Sequence, residues 1–284
     1  MSNFSRRQFI ITAGAATATS LLAHGCSTGP LDRSGGSKSS ASTASTDSQP
    51  VAKLDPPEVK KAKLGFIALT DAAPLIVAQQ RGYFKKYGMD EVEIVKQASW
   101  PVTRDNLELG SGGGGIDGAH ILSPMPYLMT LGKITKQPVP MYILARLNTN
   151  GQAISVSNTY KDLKLGADNK GLKEAFAKSA GKELKAAVTF PGGTHDLWMR
   201  YWLAAGGIDP NKDISVVPVP PPQMVANMKV GGMEAFCVGE PWNAQLINQQ
   251  LGYTALITGE LWKDHPEKAL TMRKDWVDKN PKAA

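Results

Sequence analysis

Four side chains in this 284-residue sequence are strong hydrogen-bond donors standing where the chain changes direction. Trp100 follows the apolar run Val92–Val95, and Gln152 follows the break Asn148-Thr149-Asn150-Gly151. His195 sits in Gly192-Gly193-Thr194-His195-Asp196, and Lys268 in His265-Pro266-Glu267-Lys268-Ala269. An indole N–H, a carboxamide, an imidazole N–H and an ammonium can hold a ligand that accepts hydrogen bonds. Each also has a plain structural use: Trp100 in a core, His195 capping its helix, Lys268 in solvent. Bond-breaking chemistry finds no framework. Ser111-Gly112-Gly113-Gly114-Gly115 lacks the Gly-Lys-Ser/Thr ending of a phosphate loop, and its pattern is not that of a dinucleotide turn. No Gly-x-Ser-x-Gly elbow offers a nucleophile. His120, His195 and His265 are far apart, with no paired ligand spacing for zinc. The reading is a binding protein, not an enzyme, with no cofactor and no metal.

The elements that must position these donors alternate. Leu64–Leu69 reads as a strand ending in Thr70-Asp71, good N-cap residues, and Ala73–Tyr87 as one helix closed by Gly88. Strands are expected at Val92–Val95, Ile116–Ile121, Met141–Leu147, Val188–Phe190, Ile214–Val219 and Ala235–Val238. Helices are expected at Thr103–Leu109, Met125–Leu131, Asp196–Ala205, Met224–Val230 and Ala244–Leu251. Such alternation predicts parallel sheets with right-handed crossovers, in two α/β halves divided at Asn148–Gly151. Ligands of open α/β sheets bind beyond the carboxyl ends of strands. That directs attention to Thr70-Asp71, Gln97–Trp100, Gly192–Asp196 and Gly239-Glu240-Pro241-Trp242. Trp202, Trp262 and Trp276 are expected to be packing residues, and Cys237 a buried small hydrophobe.

The N-terminus predicts export. Arg6-Arg7 precedes the weakly apolar stretch Phe9–Ala23, which ends at Gly25-Cys26 and is too short to span a bilayer permanently. Ser5-Arg6-Arg7-Gln8-Phe9 resembles the twin-arginine consensus, and Leu21–Cys26 resembles a lipobox in which Cys26 is lipidated. Ala23 stands where that motif usually has Leu, and His24 is unusual there. The Ser-, Thr- and Gly-rich stretch that follows cannot bury enough surface to order itself and reads as a tether. Lys and Arg outnumber Asp and Glu by seven but are scattered, which suits anions and gives no nucleic-acid footprint.

From Lys63 to Ala284 the chain resembles the nitrate/nitrite-binding proteins of cyanobacterial-type ABC importers. The resemblance is carried by Leu64–Leu75, Gly115–His120, Phe190–Asp196, Arg200–Gly207, Val238–Trp242 and Lys263–Ala269. It implies an α/β, two-lobed periplasmic binding protein (type II-like). Its parts are a signal over 1–26, a tether over 27–58, lobe 1 over 59–150, lobe 2 over 151–262 and a return segment over 263–284. Family members continue beyond this motif, so the expectation is a truncated chain with its first lobe incomplete.

The resemblance further implies that Trp100, Gln152, His195, Gly239 and Lys268 form the anion site. Nitrate has three acceptor oxygens and no proton to give, so donors alone should surround it, Lys268 making the charge-assisted contact. Bicarbonate-binding relatives carry Glu where this chain has Lys268 and differ around His195. Pro101 follows Trp100 where relatives have a small residue, and restricts the backbone of Trp100. The implied partners are nitrate or nitrite, the permease and ATPase subunits of the importer, and the membrane through a lipid anchor on its periplasmic side. A bicarbonate-binding protein, and a sensor or enzyme of the same two-lobed fold, are the alternatives.

Overall fold

In a computed structural model, residues 55–179 and 181–284 are described. The signal, Cys26 and nearly all of the tether lie outside them.

The chain builds two five-stranded sheets and crosses between them twice. β1 (Lys61–Phe66), a 3₁₀ turn at Thr70–Ala72, α1 (Ala73–Gln80), α2 (Tyr83–Lys86), β2 (Glu91–Lys96) and α3 (Trp100–Leu109) come first. β3 (Gly118–Leu122), α4 (Met125–Thr130) and β4 (Met141–Thr149) follow. The second sheet receives β5 (Gln152–Ser157), α5 (Lys170–Ala177), β6 (Lys185–Val188), α6 (Thr194–Ala205) and β7 (Ser215–Pro218). α7 (Pro221–Lys229), β8 (Ala235–Gly239), α8 (Trp242–Asn248) and β9 (Gly252–Ile257) complete it. The chain then returns as β10 (Pro266–Arg273) and α9 (Lys274–Lys279). Strand orders are β2-β1-β3-β10-β4 and β7-β6-β8-β5-β9.

Both sheets are mixed, which corrects the expectation of parallel ones. β2-β1-β3 and β7-β6-β8 are parallel, successive strands in each being joined by helical crossovers. β10 is antiparallel to β3 and β4, and β5 is antiparallel to β8 and β9. A strand that enters a sheet directly from the other lobe has no crossover to orient it and runs the opposite way. The turn between β4 and β5 needs Asn150 at φ 56° and Gly151 at φ 84°. Asn150 N–H donates to His265 O at 2.9 Å, tying the two crossings side by side.

Three local expectations also need correction. The helix over Ala73–Tyr87 is two helices, because Gly82 adopts φ 68° between them. Thr70 and Asp71 cap nothing through their side chains. Trp262 is two-thirds exposed, not packed in a core, whereas Trp202 is fully buried with its N–H on Gly166 O at 2.8 Å.

Each sheet has its own apolar core, and a further cluster spans both lobes. Ile67, Trp100, Ile121 and Leu122 of the first sheet's side meet Phe190, Met224, Phe236 and Val238 of the second's. The lobes are therefore closed on one another over buried side chains.

Candidate functional site

Lys268 is fully buried, and the strand that carries it explains why it has company. Neighbouring residues of a regular strand point to opposite faces. The pairing of β10 with β4 shifts register on either side of Lys268, and such an irregularity re-aims side chains. Glu267 and Lys268 consequently reach the same place, Glu267 Oε1 accepting from Lys268 Nζ. Asp71 Oδ2, in the turn after β1, takes a second contact from Nζ at 2.8 Å. The Trp100 ring stands 5.6 Å from Nζ, within cation–π range, and 5.8 Å from the His120 ring. His120 Nε2 donates to Asp71 Oδ1 at 2.8 Å.

The second lobe contributes the first turn of α6. Thr194 Oγ1 donates to Glu267 Oε2 at 2.6 Å and accepts from Gln152 Nε2 at 2.6 Å. His195 Nε2 lies 3.5 Å from Glu267 Oε1, while its Nδ1 is 2.7 Å from Thr189 Oγ1. A Thr189 hydroxyl donating to Nδ1 leaves the ring proton on Nε2, facing the cluster. Gly239 pairs with Gln152 in the β5–β8 ladder, and a Cβ there would lie 3.7 Å from Asp71 Oδ2. The Cys237 Sγ sits 3.8 Å from Gln152 Oε1. Trp100 opens α3 and Pro101 takes the next position, where its missing N–H costs no helical bond. The first turns of α3 and α6 thus both face the cluster and bring the positive ends of two helices to it.

Burial raises the Glu267 carboxyl above its usual range even against the neighbouring Lys268. Burial acts the same way on Asp71, but Lys268 and His120 outweigh it and hold that carboxyl well below its usual range. The Lys268 ammonium loses by burial and gains more from Glu267 and Asp71, so it stays charged. His120 is lowered by burial despite Asp71, and His195 is lowered further by burial and Lys268. Both imidazoles are neutral near pH 7.

All five sequence-predicted residues, Trp100, Gln152, His195, Gly239 and Lys268, fall in one connected cluster between the lobes. Two of its donors, Trp100 Nε1 and His195 Nε2, are buried without a hydrogen-bond partner among the described residues. Asp71, His120, Thr194 and Glu267 were missing from the expected set, and they change its chemistry: the surroundings are not donors alone, since two carboxylates sit on the lysine. Asp71 and Thr194 lay in the strand-end segments singled out from the sequence, and Glu267 adjoins Lys268. His120 had no such signal. Among the described residues no group of three or more His, Cys, Asp or Glu is placed to hold a metal ion.

Two α/β lobes crossed twice by the chain, with an enclosed polar cluster between them, make up the fold of the periplasmic binding proteins. The chain belongs to the NMT1-like family, whose model matches residues 55–284. It is 60% identical over its whole length to the nitrate/nitrite binding protein NrtA of Nostoc sp., and spans 64% of that protein. The bicarbonate-binding protein CmpA of Synechococcus elongatus is 46% identical over 98% of this chain and 61% of its own. The crystal structure of the periplasmic nitrate-binding protein NrtA from Synechocystis superposes with a TM-score of 0.78 at 67% identity, covering 81% of this chain and 59% of that one. The chain thus spans less than two thirds of the relatives it matches.

Proposed function

We propose that this chain is the capturing component of an importer, closing on nitrate or nitrite between its lobes and releasing it to a membrane permease. The observation that carries the reading is the pair of unpartnered buried donors, Trp100 Nε1 and His195 Nε2, beside the Lys268 ammonium. A planar acceptor without a proton of its own matches that set, completed by the Gln152 amide and a backbone N–H near Gly239. Identity to nitrate/nitrite-binding relatives exceeds that to bicarbonate-binding ones, 60% against 46%. In this reading the protein has no catalytic step, is exported by its twin-arginine-like signal, and is held at the membrane by a lipid on Cys26.

Calorimetric titration with nitrate, nitrite, and bicarbonate with and without calcium tests the ligand. Saturable nitrate heat that disappears in Lys268→Glu supports the proposal. Bicarbonate binding without nitrate heat moves the chain to the sister function, and unchanged nitrate affinity in Lys268→Glu overturns the site. Mass spectrometry of the mature N-terminus tests Cys26: an unmodified cysteine or an intact signal overturns the anchor.

A further inference from the structure

If the cluster takes an anion, its charges do not balance. One ammonium, Lys268, already serves two carboxylates, Asp71 and Glu267, and the imidazoles of His120 and His195 are neutral. With Glu267 ionised, Asp71 and Glu267 against Lys268 leave the cluster one net negative charge before any anion arrives. A monovalent anion would double it inside an enclosure where Trp100, His120, His195, Glu267 and Lys268 have no exposed surface. Buried like charges without counter-charge are strongly unfavourable, and such groups protonate instead.

We propose that Glu267 is the proton acceptor of the site: capture of a monovalent anion is accompanied by uptake of one proton on Glu267. This rests on the anion-binding reading above. Asp71 is the poorer acceptor, because it receives hydrogen bonds from both Lys268 Nζ and His120 Nε2 and retains some exposure. Glu267 is fully enclosed, and its Oε1 loses its cation once Lys268 turns to the anion. The ionisable groups that bear on it are Lys268 on the same strand, Asp71 after β1, His195 on α6 and Cys237 on β8. His120 on β3 acts through Asp71, His265 before β10 through His195, and Asp196 on α6 is taken by Arg200 and the Gly192 N–H. None of the other acids is as free to take the proton: Cys237 is held as a thiol by burial, and Asp71 is held ionised. Protonation at Oε1 leaves Oε2 to receive Thr194, so the relay Gln152–Thr194–Glu267 keeps the Gln152 amide oriented while the charge changes. Glu267 is thus a positioning residue whose charge follows occupancy.

The test is nitrate calorimetry from pH 5.5 to 8.5 in buffers of different ionisation enthalpy. Where free Glu267 is ionised, the heat should vary with buffer by about one proton per anion, and affinity should fall roughly tenfold per pH unit. Glu267→Gln, fixed neutral at the same size, should bind with no buffer dependence and no pH slope, at least as tightly as the parent at high pH. A purely structural glutamate would instead lower affinity equally at every pH in that variant, with the parent's slope retained. That outcome, or a parent heat independent of buffer, overturns the proposal. The parent's buffer series decides proton uptake even where the variant fails to fold. No nitrate heat at any pH in folded protein overturns the anion reading beneath it.

Discussion

At the scale of residues the site is governed by one lysine and what it neutralises. Removing Lys268 leaves Asp71 and Glu267 facing each other in a buried cluster without a cation. Lys268→Ala should therefore lower unfolding free energy by about 3–5 kcal/mol, the usual consequence of breaking a buried ion pair. Urea unfolding measures it, and a loss under about 1 kcal/mol would mean that Glu267 takes up a proton or that the carboxylates reach solvent. The histidines give a second prediction. His120 and His195 are lowered below the ordinary 6.5, mainly by burial. Their contribution to stability is present above that value and is lost as pH falls below it, because the unfolded chain then binds protons the folded one refuses. Glu267 acts in the other sense: its contribution is full below 4.5 and is lost as pH rises through its raised folded value. Asp71 matters only below about 3.8, where its lowered carboxyl begins to cost stability. His265 is lowered by burial as well, so three imidazoles act against one carboxyl and the melting temperature should fall from pH 7 to pH 5. A calorimetric profile that is flat or rises would show that Glu267 offsets the rings. The donors of this site could be picked out individually because each has an uncommon group at a strand end. The carboxylates could not, since Asp71 and Glu267 are 196 positions apart and acquire meaning only when β10 enters the first sheet.

At the scale of elements, two glycines separate space from hydrogen bonding. A Cβ on Gly193, the residue before α6, would lie 2.8 Å from Leu122 Cδ1 of the other lobe and 3.1 Å from Phe190 O. On Gly239 it would meet Leu69 Cδ2 at 3.6 Å and Asp71 Oδ2 at 3.7 Å, ordinary contacts. Gly193→Ala should consequently weaken lobe closure and anion affinity severalfold, while Gly239→Ala stays near the parent, its role being that of a backbone N–H. Parallel titrations of the two variants check this, and equal effects would refute it. Elements with uninterrupted apolar patterns, such as β8 and α6, were legible in the sequence to within two residues. β10 was not, because Glu267, Lys268 and Thr271 occupy buried positions on it and erase the alternation that marks a strand. The break at Gly82 was hidden because Tyr83 and Phe84 continue the apolar spacing beyond it.

At the scale of the molecule, closure is shared between apolar contact and a few directional bonds. The apolar cluster spanning the lobes supplies area without direction. Direction comes from Thr70 N–H donating to Glu240 O at 2.9 Å and from Thr194 donating to Glu267 at 2.6 Å. The first is backbone and resists substitution, so Thr194 is where the closed state can be probed. Thr194→Val removes the hydroxyl that serves Glu267 and Gln152 together, leaving two buried polar groups unmatched, whereas Thr194→Ser keeps both bonds at the loss of one methyl. An anion held across the lobes should stabilise the parent by about 2.7 kcal/mol at a hundredfold excess over its dissociation constant. The melting shift with nitrate should be retained in Thr194→Ser and largely lost at the same concentration in Thr194→Val. A shift of equal size in both would mean that the hydroxyl bridge is incidental and that apolar contact alone closes the lobes.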